Sequence, residues 1–416
     1  MKDRHKDVNK LLNRLFSKDD RVNTFQLKEL FEQRIDYLAI TKNQACKILD
    51  WDNKTLDAFL EGDSKKIDFV SILKMSDFLD VPHDILIEKY FELALDTHNE
   101  TIEISKKRNF IVNHFDLPSL KKIGFINSIN DFDEIENRIN TFFGYDNIFE
   151  HRRNQINGLF SSAKRKTNQR NLGFWYATAK ESAEKTPNPY EFDREGLIEY
   201  FPKIRWHSMD VENGLLAVAQ KLFRLGITLI IVPDFTKDLH IRGLTFSHRE
   251  KPYIALNKYT RFYPSLWFAL IHELFHVLYD WDIILKDKYH FSQDPLNNSD
   301  DTLLTSTMEI NEDEANDFAR QYLFPDDKMK DVLPHINQQF YIENYAKMNH
   351  VHPSFMYVFY LWDNNDNSLY AKFNRHFPKE SYNKLLKKFS VEQYLDFKPI
   401  NEVSQTRNKK LNYNTL

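Results

Sequence analysis

Two histidines four residues apart, with a glutamate directly after the first, are the side chains of this sequence best suited to catalysis. They form the segment HELFH, from His272 to His276. Because residues four apart lie on one face of an α-helix, the two imidazoles can bind a single metal ion. Glu273 lies to one side of that face, where its carboxylate can take a proton from a water held by the metal. The spacing therefore predicts metal-assisted hydrolysis. The alternative is a pair of histidines that pack in the core without a metal.

A zinc ion in such a site needs a third protein ligand, and the next strongly helical segment offers one. This segment is MEINEDEANDFARQYLFP, in which Glu309, Glu312 and Asn316 align on one helical face. We expect Glu312 to be the third ligand, because Asn316 follows it by one turn and could hydrogen-bond a ligating imidazole. Glu309, one turn earlier on the same face, and Glu314, on the other side of the helix, are the alternatives.

Hydrolysis at a carbonyl group also needs a hydrogen-bond donor for the oxyanion that forms there. The side chains that could supply it are Tyr253, Tyr279, His290 and Tyr322. The chain has 20 tyrosines, so each of these tyrosines is more readily explained by packing, and no donor is assigned.

The segments before HELFH predict the elements that hold it. The motif lies in an apolar helix that begins at Pro264 and contains no glycine and no later proline. Upstream, ENGLLAVAQKLFRLG has the spacing of an amphipathic helix, and GITLIIVPDF is typical of a buried strand. IRGLTFSHREKPYIALN predicts a hairpin that turns between His248 and Lys251. A helix, three strands and a further helix predict a small α+β domain.

The amino-terminal region has a different pattern, in which apolar residues recur at helical spacing in short blocks. The pattern predicts helices over 25–38, 42–49, 53–61, 67–79 and 83–91. Thr41 and Asp52 are suited to cap the second and third of these helices. Their order and spacing resemble a helix-turn-helix domain of the Xre or Cro type, in which the third helix would lie in the major groove of DNA.

The charges of this region argue against tight DNA binding. Lys42, Asn53 and Lys54 are the candidate nucleic-acid contacts, but Asp57 and Glu61 share the exposed face of the third helix. Residues 1–95 carry 16 basic and 18 acidic side chains, whereas affinity for DNA depends heavily on neutralising phosphates. We therefore favour a helical module for protein interaction or dimerisation over DNA binding through residues 24–95.

Composition narrows the function classes further. The 416 residues carry a formal net charge of −4 and a single cysteine, Cys46, which excludes a polycation that coats nucleic acid, a disulfide framework and a four-cysteine metal site. Glycine-rich phosphate loops are absent among only 9 glycines, which disfavours nucleotide chemistry. The start, MKDRHKDVNKLLNRLF, lacks the apolar core of an export signal, and no apolar segment is long enough to span a bilayer. We expect a cytoplasmic protein without membrane contact.

Three segments in order, KPYIALN, SLWFALIHELFHVLYDWD and EDEANDFARQYLFP, resemble the ImmA/IrrE family of metallo-endopeptidases, whose members often carry an Xre-type domain at the amino terminus. The resemblance covers residues 25–91 and 150–375. It implies a thermolysin-like fold, zinc or manganese as the metal, His272, His276 and Glu312 as its ligands, and Glu273 as the base. It also implies helix-turn-helix repressors as substrates. Phe275 departs from the family pattern, because glycine is usual at this position and the larger ring would narrow the cleft or alter packing behind the helix.

The sequence thus predicts a multidomain protein with an all-α helix-turn-helix domain, an α+β thermolysin-like metallopeptidase domain and a helical carboxyl-terminal region. The expected regions are an extension at 1–23, the helix-turn-helix domain at 24–95, a helical connection at 96–200, the metallopeptidase domain at 201–335 and the helical region at 336–416. In the last region, IENYAKMNHVHPSFMYVFYLW predicts two helices joined at 351–353. The stretch from Glu402 to Leu416 lacks apolar periodicity and is expected to be disordered.

Three functions fit these features. The leading one is a zinc-dependent endopeptidase that cleaves a specific intracellular protein, a helix-turn-helix repressor. The second is a DNA-binding transcriptional regulator whose metal site is structural or sensory. The third is a toxin-like protease effector of a phage-defence or toxin-antitoxin locus. An adjacent repressor gene would favour the first function, and an adjacent antitoxin or phage-defence gene would favour the third.

Overall fold

The computed structural model describes most of the chain, and helices make up most of its regular structure. The described residues are 27–64, 67–154, 168–237, 239, 241–258, 262–287, 289–293, 312–364 and 367–413. Contacts divide the chain into two compact units, 1–107 and 108–416. Where it is described, the first unit is helical, and a four-stranded sheet lies in the second. The protein is therefore a multidomain α+β protein, as predicted. In the described ranges, no helix is both long enough and apolar enough to cross a membrane.

The predicted helices of the first unit are present. They are α1 (Leu27–Leu38), α2 (Lys42–Leu49), α3 (Asn53–Leu60), α4 (Phe69–Leu79) and α5 (His83–Thr97), followed by α6 (Asn99–His114), in which the boundary between the units falls. As predicted, the side chain of Thr41 caps α2, and that of Asp52 caps α3 by accepting the N–H of Thr55 at 2.6 Å. Buried apolar residues, among them Leu49 and Phe59, form the core of this unit.

The sheet of the second unit contains the predicted hairpin and one strand that was not predicted. Its strands are β1 (Thr228–Pro233), β2 (Ile241–His248), β3 (Lys251–Lys258) and β4 (Tyr289–Gln293) in the order β1-β3-β2-β4. The pair β1–β3 is parallel, and β2 pairs antiparallel with both β3 and β4. The turn between β2 and β3 places Arg249 and Glu250 at φ values of 52° and 60°, the left-handed conformation that a two-residue hairpin turn needs at both positions.

Hydrophobic cores formed with helices lie on both faces of this sheet. The further helices of the second unit are α7 (Leu117–Lys122), α8 (Phe132–Phe143), α9 (Gln169–Glu184), α10 (Arg194–Ile204), α11 (Gly214–Arg224), α12 (Tyr263–Tyr279), α13 (Trp281–Asp287), α14 (Glu312–Leu323), α15 (Asp326–Val332), α16 (Gln339–Met348), α17 (Ser354–Asn364), α18 (Asn367–Phe373), α19 (Lys379–Lys388), α20 (Val391–Leu395) and α21 (Ile400–Leu411). Short 3₁₀ helices span Ile148–Asn154, Arg205–Met209, Leu333–His335 and Asn374–His376.

The alternation of side chains along β1 explains its unbroken apolar sequence. Leu229 and Ile231 belong to one hydrophobic core, which α11 and α12 share, whereas Ile230 and Val232 belong to the other. Because successive side chains of a strand point to opposite faces, a strand covered on both sides must be apolar at every position.

The second core includes helices from the region that we predicted to be a connection. Phe142 of α8 and Trp175 of α9 are buried in the same cluster as Ile230 and Val232 of the sheet. This part of the chain therefore packs as an integral layer of the α+β unit.

At the carboxyl terminus one prediction is confirmed and one is wrong. The helices α16 and α17 are separated at the predicted junction near Val351. The expectation of disorder from Glu402 to Leu416 fails, because α21 is a helix with a buried face. That face includes Arg407, which is fully buried and donates to the hydroxyl of Tyr394 at 2.8 Å and to the carbonyl of Ser182 at 3.2 Å. Polar residues occupy buried positions here, so apolar periodicity was a poor guide. Residues 414–416 lie outside the described ranges.

Candidate metal centre

The helix α12 carries HELFH through the interior of the second unit. Pro264 stands in its first turn, and every residue from Tyr263 to Leu278 is buried. The run of Leu, Trp, Phe and Ala around the motif packs on all sides, so the helix is held along its whole length rather than along one stripe. A polar side chain on such a helix has no access to bulk water and must find a partner or a ligand.

Three side chains from two helices converge at this point. The Nε2 atoms of His272 and His276 lie 3.1 Å apart. The carboxylate of Glu312, at the first residue of α14, lies 3.3 Å from Nε2 of His272 and 3.2 Å from Nε2 of His276. Both histidines are fully buried, and the side chain of Glu312 is 23% exposed. One ligand atom from each residue lies within 4.8 Å of the others, so this group could hold a metal ion.

This arrangement distinguishes among the glutamates that the sequence offered. Glu312 joins the two histidines. Glu314 is exposed on the same helix and is not part of the group. Glu309 lies outside the described residues. Of the two glutamates that are described, Glu312 is therefore the one whose carboxylate meets the histidines.

The chemistry of the donor set suits a divalent cation. Burial lowers the pKa of His272, although the nearby Glu312 carboxylate opposes this effect, so His272 favours the neutral form that a metal requires. Burial also acts to lower the pKa of His276, but hydrogen bonds to the carboxylates of Asp280 and Glu312 outweigh it and raise that pKa to about 9. A proton or a cation beside His276 thus offsets the negative charges of Asp280 and Glu312. Two imidazole nitrogens and a carboxylate are typical ligands of zinc and are also compatible with manganese.

A carboxylate that the sequence analysis did not single out contacts one of the imidazoles. The Nδ1 atom of His276 lies 2.7 Å from Oδ2 of Asp280, whose side chain is 14% exposed. The signal was present in the sequence, because Asp280 follows His276 by four residues on the same helix. Its contact is one that ligating histidines commonly make in metal sites.

The residue expected in that role, Asn316, contacts a different group. The carboxamide oxygen of Asn316 accepts a hydrogen bond from Nη1 of Arg242 at 2.7 Å. The guanidinium of Arg242 also stacks over the ring of Phe268, with Cζ 4.5 Å from the ring centroid. The prediction that Asn316 hydrogen-bonds a ligating imidazole is therefore corrected. The physical reason is that Arg242, a buried cation on β2, uses the acceptor of Asn316, while Asp280 meets the imidazole.

The carboxylate of Glu273 is fully buried beside this group and is held at one oxygen. The hydroxyl of Thr245, on β2, donates to Oε2 of Glu273 at 2.6 Å. The other oxygen, Oε1, has no hydrogen-bond partner among the described residues. A buried carboxylate oxygen without a donor is costly, so this oxygen is placed to receive a proton or a hydrogen bond from a small molecule in the site.

Gly243, two residues before Thr245, makes this position of Glu273 possible. A Cβ atom built on Gly243 would lie 2.5 Å from Oε1 of Glu273 and 2.9 Å from its Cδ atom. Any larger residue would displace the carboxylate. Sequence reasoning missed both Thr245 and Gly243, and the only signal was a glycine inside a strand, which often marks a close approach by another group.

The candidate oxyanion donors have different surroundings. The hydroxyl of Tyr253 donates to the carbonyl of Thr186 at 2.9 Å, and that of Tyr322 donates to the carbonyl of Phe201 at 2.5 Å. The hydroxyls of both tyrosines therefore hydrogen-bond backbone carbonyls inside the fold, which agrees with a structural role. Tyr279 is 62% exposed at the end of α12. His290 lies in β4, and its side chain is outside the described set.

Phe275, the departure from the family pattern, lies edge-on to the ring of His276, at a centroid distance of 5.7 Å, and also packs on two other aromatic rings. Its ring centroid lies 4.7 Å from that of Tyr279 and 5.4 Å from that of Phe318 on α14. The ring thus adds an apolar contact between the two helices that carry His272, His276 and Glu312.

In the first unit, two of the three predicted nucleic-acid contacts bind neighbouring side chains. Lys42 forms an ion pair with Asp57, which joins α2 to α3. The amide of Asn53 donates to the side chain of Asn43 at 3.1 Å. Lys54 is exposed at the start of α3.

Comparison of the chain with protein-family models, with curated proteins and with solved structures found no match. What the site can do is therefore inferred from its geometry and from the motifs of the sequence.

Proposed function

We propose that the protein is a metal-dependent endopeptidase in which Glu273 is the general base. The observation that carries this proposal is the state of the Glu273 carboxylate. It is fully buried, held at Oε2 by Thr245, and without a protein donor at Oε1 among the described residues. Glu273 lies on the same helix as the two histidines that, with Glu312 of α14, form a group that could hold a metal ion.

Each residue of the site has a definite task in this proposal. His272, His276 and Glu312 would hold the ion, zinc in the first instance and manganese as the alternative. Such an ion supplies Lewis acidity and lowers the pKa of a water in the site. Oε1 of Glu273 accepts a proton from the attacking water as the new C–O bond forms. The same carboxylate then returns the proton to the amine nitrogen as the peptide C–N bond breaks.

The resemblance to the ImmA/IrrE family supports the finer parts of the proposal. It favours a thermolysin-like arrangement for the second unit and a helix-turn-helix arrangement for the first. It also favours an intracellular substrate that is itself a helix-turn-helix repressor. In this view the first unit selects the substrate or the location of cleavage by protein contact. The paired charges of Lys42 and Asp57 support that role over phosphate binding.

The variant Glu273→Gln tests the proposal directly. The amide keeps the shape of the side chain but cannot accept the proton, so we expect cleavage to fall by about 100- to 10,000-fold while metal content stays the same. The substrate remains bound to this variant. Mass spectrometry of proteins that co-purify with Glu273→Gln, compared with wild type, should therefore identify the target.

The matched control is Glu199→Gln, because Glu199 is an exposed glutamate on α10. This variant should cleave the captured protein at the wild-type rate. Equal cleavage by Glu273→Gln and wild type, with equal metal content, would contradict the proposal. The protein would then be better explained as a regulator with a structural or sensory metal site.

A further inference from the structure

Asp280 lies at the end of a helix, where a negatively charged side chain is electrostatically unfavourable. It directly follows α12, and its backbone N–H donates to the carbonyl of His276 at 2.9 Å. The carbonyl end of a helix repels negative charge. The carboxylate could instead have capped α13, which begins at the next residue. However, Asp280 accepts the N–H groups of Ile283 and Ile284 through its backbone carbonyl, and its side chain contacts His276.

That side chain determines which nitrogen of His276 faces the ligand group. An ionised carboxylate only accepts hydrogen bonds, so the contact of 2.7 Å between Oδ2 of Asp280 and Nδ1 of His276 holds the ring hydrogen on Nδ1. In the neutral ring that a cation binds, the lone pair is then on the opposite nitrogen, Nε2, which lies 3.2 Å from Glu312 and 3.1 Å from His272. We propose that Asp280 is a positioning residue that fixes His276 as a ligand and thereby strengthens divalent-cation binding at this site. This inference rests on the metal site of the proposed function.

The two imidazoles of the site are not equivalent in this respect. The Nδ1 atom of His272 is buried and has no hydrogen-bond partner among the described residues. Its ring is therefore oriented by packing, including contact with the ring of Phe268 one turn earlier, at a centroid distance of 6.5 Å. Within the described part of the chain, Asp280 is thus the carboxylate that contacts the Nδ1 atom of one of these imidazoles. Removing it should alter the orientation of the His276 ring.

The experiment measures zinc affinity of the full chain rather than activity. Purified wild type, Asp280→Ala and Asp280→Asn are titrated with zinc in competition with a chromophoric chelator. We expect Asp280→Ala to bind zinc about 10- to 100-fold more weakly than wild type, the usual effect of removing such a partner. Asp280→Asn keeps an acceptor without its charge and should lie between the two. The control is Asp282→Asn, an exposed carboxylate on α13, which should retain wild-type affinity.

Thermal unfolding with zinc removed shows whether a variant is simply damaged. The metal-free Asp280→Ala variant should unfold at nearly the wild-type temperature, and the stabilisation produced by added zinc should be smaller. Equal zinc affinity in wild type and Asp280→Ala overturns the inference, and so does a loss of stability in the metal-free state without any change in affinity. A wild type that takes up no zinc overturns both this inference and the proposed function. A wild type that binds zinc but cleaves no protein overturns the peptidase alone and leaves the role of Asp280 standing.

Discussion

Two pairs of helices in this protein have polar residues at characteristic spacings, and they differ in what those residues contact. In α2 and α3 of the first unit, Lys42 and Asp57 pair with each other near the surface. In α12 and α14 of the second unit, His272, His276 and Glu312 converge in a largely buried position. In the first pair of helices, the charges of Lys42 and Asp57 neutralise each other. The second pair brings together ligand atoms that a cation would stabilise.

The difference in burial decides how much each arrangement indicates about function. An exposed ion pair contributes about 0–1 kcal/mol, so it can arise without any selected role. A carboxylate removed from water without compensating partners costs several kcal/mol. The fully buried Glu273, with Oε1 unpaired among the described residues, is therefore much stronger evidence for a ligand than any polar residue of α2 or α3.

Removing a ligand should produce the largest effect. We expect about one divalent ion per wild-type chain and none retained after dialysis by His272→Ala, His276→Ala or Glu312→Gln, because zinc needs all three protein ligands. Elemental analysis of the purified proteins measures this. Glu312→Gln is the most informative variant, since its side chain is partly exposed and the change leaves the core intact.

Glu314→Ala is the matched control for ligand loss, because Glu314 lies on the same helix and is exposed. It should keep its metal. Equal metal content in Glu312→Gln and Glu314→Ala would show that the convergence of the two helices does not create a binding site, and the contrast with α2 and α3 would disappear.

An intermediate effect is expected from the strand that supports the base. Thr245→Val removes the hydrogen bond to Glu273, and a buried hydrogen bond to a charged group is worth about 1.5–3 kcal/mol, or about 10- to 100-fold in rate if it is lost in the transition state. Thr245→Ser should restore most of the activity. The readout is the rate of cleavage of the protein captured by Glu273→Gln, together with metal content, which should not change.

Gly243→Ala should act through the same carboxylate, because the added Cβ would lie 2.5 Å from Oε1 of Glu273. Gly173→Ala is its control, since a Cβ at Gly173 meets no atom within 4 Å. If Gly243→Ala and Thr245→Val cleave as fast as wild type, Glu273 is not positioned by β2, and the proposed base would have to be reconsidered.

Local spacing was sufficient to predict the helices and the meeting of His272 with His276. HELFH requires only that four residues make about one turn. Helical alignment offered both Glu309 and Glu312, and Glu312 was favoured because of Asn316, which hydrogen-bonds Arg242 instead. Asp280 could have been found by the same rule, because it is four residues beyond His276.

Contacts between distant parts of the chain could not be predicted in this way. Thr245 is 28 residues from Glu273 in the sequence, and only the packing of β2 against α12 brings them together. The same limit applies to α21, where Arg407 is buried through contacts to Tyr394 and Ser182. A periodicity of apolar residues cannot reveal a helix face whose buried members are polar.

The smallest effects are expected in the first unit. The full-length protein should bind duplex DNA only at the non-specific level, with a Kd of roughly 10⁻⁴–10⁻⁶ M at physiological salt. Lys42 is already paired with Asp57, and Asn53 is bonded to Asn43. Lys42→Ala and Lys54→Ala should therefore change DNA affinity little. Binding to a pool of random duplexes at several salt concentrations measures this.

Asp57→Asn makes the comparison between the two helix pairs sharper. This change removes the carboxylate that holds Lys42 and leaves the lysine free, so it should raise DNA affinity slightly, with a steeper dependence on salt because one more phosphate can be neutralised. The metal content of the second unit should be unchanged. A wild-type protein that selects a specific duplex at nanomolar Kd, and loses this binding in Lys54→Ala, would show that α3 reads DNA despite its carboxylates. In that case exposed polar residues of α2 and α3 would carry function after all, and the first unit would direct the protein to a DNA site rather than to a protein partner.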